Sequence, residues 1–248
     1  MRAVRPGSSS PPNFGRQRRR RVAVGTARGG AGHAEEVTVY SIQPGRGFEQ
    51  ATVVLPTDYA GGLPRDGYSI YRRCQQALHQ TCLAHLLRRC REMIEVSGPA
   101  AVRFPQTVKE ILQQGLQLRD LRDEGEISNH GFAVACGRSE ARLDRVLESS
   151  YRSAANERLA NHLRRERDAI FTVLYCEGLD ATDWRAEQAI RPAVVARKLW
   201  GGNRTPVGAH TQEILTSVLQ TCRLPACRSF AMISNAPRSA RATRVETR

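Results

Sequence analysis

Cys82 and His85 stand three residues apart in the run Gln80-Thr81-Cys82-Leu83-Ala84-His85. On a helix that spacing puts a thiol and an imidazole on one face, where the pair is spaced to grip zinc. A structural zinc site needs a second pair, and none stands at ligand spacing. Cys222 and Cys227 straddle the start of the C-terminal tail. The spacing therefore falls short of a zinc site. Arg191, Arg197, Lys198 and Arg204 form a second group, suited to the phosphates of DNA. A solvated helix face accounts for them nearly as well. Trp184 and Trp200 could stack on bases, although packing in the core is the plainer reading. Taken alone, Asp66 before Gly67 is an ordinary turn residue, and Glu187 an ordinary surface carboxylate on a helix.

The elements that would carry these residues follow from periodicity. Val37 to Ile42 alternates and is bounded by Pro44-Gly45, which predicts a strand. A short helix is expected from Phe48 to Leu55. A second short strand begins at Leu63 and ends near Asp66-Gly67. Beyond residue 72 only helices are expected. Leu83, Leu86, Leu87, Cys90, Met93 and Ile94 share one face of the first. Val108, Ile111 and Leu112 mark a second helix, Leu143, Val146 and Leu147 a third, and Leu159, Leu163, Ile170 and Phe171 a fourth. Thr182 or Asp183 is a fit cap for the next helix, which Pro192 should kink or interrupt. Gly201-Gly202-Asn203 is a loop, and Ile214, Leu215, Val218, Leu219 and Cys222 mark a last helix.

The net charge of +14 suggests nucleic acid at first sight. Its distribution weakens that inference: residues 1–36 and 223–248 supply +11, and residues 37–222 only +3. A DNA-binding face in the core must therefore come from local clustering. Both tails lack periodicity, and residues 1–36 and 224–248 are expected to be disordered. The Gly29-Gly30-Ala31-Gly32 run is no phosphate loop, since no Gly-Lys-Ser/Thr follows. Seven scattered cysteines suggest no disulfide framework. With neither a signal sequence nor a membrane span in view, a soluble cytoplasmic protein is expected, nucleoid-associated when bound to DNA.

Several segments in order resemble one family, the transposases of insertion sequence 66. They are Thr38 to Ile42 with Pro44-Gly45-Arg46-Gly47, Asp66-Gly67-Tyr68 with Tyr71, and Gln80 to Arg89. The longest is Trp184 to Pro192, continuing through Arg197-Lys198 and Trp200 to Arg204, and Gly208 to Glu213 closes the set. Each piece is weak alone; the ordered set, over about 37–223, is specific. The resemblance implies an α/β, RNase H-like core, with a helical insertion at about 90–175. It also implies three carboxylates holding two Mg²⁺ or Mn²⁺ ions, the arrangement that stabilises attacking and leaving oxygens in DNA strand transfer. On this resemblance Asp66 is the second carboxylate and Glu187 the third, both catalytic and metal-binding. His85 supports them, and Arg191, Arg197, Lys198 and Arg204 hold DNA.

The first carboxylate is missing. The family carries it on a strand upstream of Thr38–Ile42, and residues 1–34 contain no Asp and no Glu. The core should therefore be incomplete, without its central first strand, and the metal site incomplete with it. Both tails have the Arg, Pro, Gly, Ser and Ala bias that G+C-rich DNA gives in a shifted frame, so a frameshifted gene is expected. Three functions fit. One is a transposase fragment acting on transposon ends and inactive by itself. The second is a non-catalytic remnant that binds DNA or transposase. The third is an enzyme completed only by another polypeptide, such as a further transposase subunit, that carries the missing Asp.

Overall fold

The computed structural model describes residues 21–28, 36–45 and 47–221. The chain is α/β and mostly helical. Strand β1 (Arg21–Arg28) pairs antiparallel with β2 (Glu36–Gln43), in register from Arg21 opposite Gln43 to Arg28 opposite Glu36. Strand β1 lies within the 1–36 stretch expected to be structureless. Val22, Val24 and Thr26 alternate along it, a period-two signal masked by the Arg run just before it. The remainder of that tail, and residues 224–248, lie outside the described residues.

A short helix α1 (Phe48–Thr52) leads to β3 (Gly62–Arg65). Strand β4 (Leu78–Thr81) runs parallel to β3, with Gly62 opposite Leu78 and Arg65 opposite Thr81. The link between them includes a 3-10 turn over Ser69–Arg73. Strand β4 was not expected, because strands were anticipated only before residue 72. Four residues are too few for alternation to show, and the helical face that follows dominates the window. Instead of one mixed sheet, the described strands form two separate two-stranded sheets.

From Leu83 to Tyr175 every α or β element is helical: α2 (Leu83–Val96), α3 (Pro99–Asp123), α4 (Asn129–Glu148), α5 (Ala154–Glu166) and the short α6 (Thr172–Tyr175). The apolar faces legible in the sequence meet in one core. Leu83, Leu86 and Cys90 of α2 pack with Val108, Ile111 and Leu112 of α3, Leu143 of α4, Leu159 and Leu163 of α5, then Ile170 and Phe171. Each such side chain contributes about 1.5–3 kcal/mol on burial. Gly115 makes room for Phe171, whose ring would lie 2.7 Å from a Cβ placed there.

Of the kink or interruption expected at Pro192, interruption does not occur: helix α7 (Trp184–Trp200) is continuous through it. Pro192 removes a single N–H, and the turns on either side keep theirs. Gly201, at φ +80°, ends α7 in the left-handed conformation. Helix α8 (Pro206–Thr221) follows and packs along β2. There the Tyr40 N–H donates to Ser217 Oγ at 2.9 Å, and the Ile42 N–H donates to the Glu213 carboxylate. Side chains of α8 thus satisfy backbone donors of an edge strand, one way of closing an open edge. Among the described residues no helix is long and apolar enough to cross a membrane.

Candidate functional site

The site forms where the ends of β3 and β4 meet the N-termini of α2 and α7. Asp66 follows the last residue of β3 and is exposed. Its Oδ1 accepts from the Tyr68 N–H at 2.9 Å, closing a turn around Gly67, whose φ is +90°. Any side chain at Gly67 would be strained there, with His162 Cε1 3.3 Å from the Cβ. Asp66 lines a cavity of about 310 Å³ together with Thr81, Cys82, His85, Arg88, Arg89, Glu92 and His162.

The residue before Asp66 anchors it. Arg65 is buried, and its Nη2 lies 2.5 Å from Oε2 of Glu166, which is fully buried on α5. Arg72 donates to the other Glu166 oxygen, and Thr81 Oγ1 to Oε2 at 3.1 Å. Burial alone would raise the Glu166 carboxyl, but the two guanidinium groups outweigh it and hold it below the usual carboxylate range. Arg65 Nε also donates to His79 Nδ1 at 3.2 Å. Burial first, then Arg65, pushes the His79 imidazole down. This network was not read from the sequence. Glu166 lies in an amphipathic helix among charged residues, and nothing local marks it as buried.

Strand β4 is pinned from the other side. The fully buried Gln80 donates to the carbonyls of Thr81 and Ile170 at 2.7 and 2.9 Å, and accepts from the Val173 N–H at 2.7 Å. A 2.9 Å bond from the Leu83 N–H to the Ala181 carbonyl ties the start of α2 to the segment before α7.

Across that tie His85 meets two carboxylates. Its Nε2 lies 3.1 Å from Glu187 Oε1, in the first turn of α7, and its Nδ1 lies 3.5 Å from Asp183 Oδ1. The same Nδ1 is 3.2 Å from Cys82 Sγ, and the Asp183 N–H donates to that sulfur at 3.4 Å. Cys82 is almost wholly buried. Burial, then the Asp183 carboxylate, pushes its thiol up to about 11. Asp183 occupies the N-cap position of α7 but makes no side-chain cap bond. Its carboxylate turns to His85 instead, a departure from the capping role expected of it.

The structure therefore brings Asp66 and His85 to one cavity, and places His85 against Glu187. Of the four basic residues expected on DNA, Arg191, Lys198 and Arg204 are exposed and Arg197 half-buried. Trp184 is 61% exposed, which removes it from the core expected to hold it. His162 and Arg89 join the cavity unforeseen. Burial, then the charge of Arg89, lowers the His162 imidazole. No signal in the sequence links His162 to the turn at Gly67; only the fold brings them together.

The site gathers carboxylates and a histidine beside arginines, side chains that suit divalent cations and phosphate. Comparison with known families makes this specific. The model of the IS66 transposase family matches residues 13–211, most of the chain, and the protein belongs to that family. No curated protein and no solved structure matches significantly. Family membership gives the chain a part in DNA transposition, with DNA as substrate and a divalent metal ion implied by the family's carboxylate chemistry. The match begins upstream of residue 37, so it takes in β1.

Proposed function

We propose that the chain carries the catalytic domain of a DDE-type transposase over about 37–223, with an RNase H-like core and a helical insertion at about 90–175. Asp66 and Glu187 are two of its metal-binding carboxylates. The observation that carries this reading is the gathering around His85. Asp66 follows the last residue of β3 and lines the cavity that His85 also lines, while Glu187, from a helix far along the chain, meets the same imidazole at 3.1 Å. Hard divalent ions take carboxylate oxygens, so these residues fit Mg²⁺ or Mn²⁺. When bound, the ions would stabilise the attacking and leaving oxygens of phosphodiester displacement. His85 orients Glu187 through Oε1, which leaves the carboxylate a second oxygen for a cation. Arg191, Arg197, Lys198 and Arg204 would hold transposon-end DNA by its phosphates.

The site is incomplete within residues 1–34, which contain no Asp and no Glu, and β1 carries no carboxylate. Among the described residues the two strand pairs are not joined, which is compatible with a sheet lacking its central strand. We infer that this chain is inactive by itself and gains activity only where another polypeptide or segment supplies the first Asp. The test is cleavage of end-containing DNA by the purified chain with Mg²⁺ or Mn²⁺. No cleavage alone is expected, and cleavage on adding a transposase polypeptide that supplies the Asp. Glu187→Ala should abolish that activity. Robust cleavage that Glu187→Ala leaves intact would sink the assignment. Salt-sensitive DNA binding that never yields cleavage would favour a non-catalytic remnant, a reading supported by the exposed Arg191, Lys198 and Arg204.

A further inference from the structure

We propose that Cys82, His85 and Asp183 form a binding site for one zinc-class cation, adjoining the proposed strand-transfer site and sharing His85 and Glu187 with it, with Glu187 as the carboxylate that orients the histidine. The three ligand atoms, Cys82 Sγ, His85 Nδ1 and Asp183 Oδ1, all lie within 4.8 Å of one another. Tetrahedral zinc geometry sets the sulfur–nitrogen separation at about 3.6 Å and the nitrogen–oxygen separation at about 3.3 Å. The corresponding separations here are 3.2 and 3.5 Å. These two separations lie within a few tenths of an ångström of the tetrahedral values, and the sulfur–oxygen separation lies within 4.8 Å.

Two further observations point to a cation. Asp183 Oδ1 is buried and meets no donor at full hydrogen-bond geometry among the described residues, with His85 Nδ1 3.5 Å away and the Cys82 thiol beside it. A buried carboxylate oxygen without a donor is costly, and a bound cation removes that cost. The second observation is the contact on the far ring nitrogen: His85 Nε2 lies 3.1 Å from Glu187 Oε1, while Nδ1 faces the sulfur and Asp183. A metal-bound histidine ordinarily gives its other N–H to a carboxylate in this way. Cys82 and Asp183 stand at the N-cap positions of α2 and α7, where the positive helix ends suit anionic groups.

The donor set separates this site from the one proposed for strand transfer. A thiolate and an imidazole select a softer cation than Mg²⁺. Three protein ligands leave the fourth tetrahedral position for water or a further ligand, and His85 is one-third exposed.

The experiment is a titration of the full chain, stripped with a chelator, with Co²⁺ and then Zn²⁺. One equivalent of Co²⁺ should give a thiolate-to-metal charge-transfer band and the visible bands of tetrahedral cobalt. Zn²⁺ should displace it, and excess Mg²⁺ should not. Cys82→Ser should remove the charge-transfer band. His85→Ala and Asp183→Asn should weaken binding at least ~10-fold, and Glu187→Ala by about 10–100-fold. Asp66→Asn should leave the titration unchanged, whatever it does to DNA cleavage, so the two sites can fail separately. Helical circular dichroism establishes that each variant is folded. The native chain is decisive even if a variant is not: no thiolate band in it overturns the proposal. So does a band that survives Cys82→Ser, or cobalt that Mg²⁺ displaces.

Discussion

Asp66 serves a turn and, in the proposed mechanism, a metal, and the two roles separate by charge. Its Oδ1 accepts the Tyr68 N–H, which an asparagine oxygen would do as well. Asp66→Asn should therefore change stability by no more than about 0.5 kcal/mol, as for an ordinary surface substitution. The same change removes the anionic oxygen that a hard cation needs. Thermal melts together with Mn²⁺ binding check this: an unchanged melt with lost Mn²⁺ binding is expected. Mn²⁺ binding that survives would remove Asp66 from the site. The sequence singles out Asp66 and Glu187 as candidates only as parts of ordered family segments, because an Asp-Gly turn and an exposed helical Glu are commonplace. Asp183 shows the limit of local reading. An Asp ahead of a helix looks like a cap, yet His85, distant in sequence, draws its carboxylate away.

At the scale of elements, long amphipathic helices were legible because many residues repeat one period, and their apolar faces are the ones that meet in the core. Strands β1 and β4 were not. The first is hidden by neighbouring arginines, and the second is held by side chains rather than by its own pattern. Gln80 is the clearest case. Truncating it to Ala leaves the Val173 N–H without its acceptor and removes a donor from two buried carbonyls, the unsatisfied N–H alone costing about 1–3 kcal/mol. Chemical denaturation should show a loss of at least ~2 kcal/mol, and a loss under ~0.5 kcal/mol, the size of an ordinary surface substitution, would refute the pin. Glu166→Ala should be worse. It leaves Arg65 buried without its anion, a situation that costs about 3–5 kcal/mol. Because Arg65 adjoins Asp66, the same variant should also loosen the turn at Gly67. Amide exchange at Tyr68 reports on that turn, and unaltered protection there would show that the buried pair does not position Asp66.

For the whole molecule, these buried groups tie stability to pH. His79 and His162 are held below their usual range by burial and by the nearby charges of Arg65 and Arg89. Between their folded and unfolded pKa values the unfolded chain binds more protons, so stability falls as pH drops below about 6.5. Glu166 is also depressed when folded, by Arg65 and Arg72 acting against its burial. Its contribution is complete above the ordinary glutamate value and is lost as pH falls through the lowered one, so it adds a second decline below about 4.5. Both groups act in the same direction, and neither predicts a loss on the alkaline side near neutrality. Denaturation measured at steps from pH 8 to pH 3 should give a plateau, a first descent through the histidine range and a second in the carboxylate range. His79→Gln with His162→Gln should flatten the first descent and spare the second. A first descent of unchanged size in that double variant would mean that other groups, not these buried imidazoles, set the response to acid.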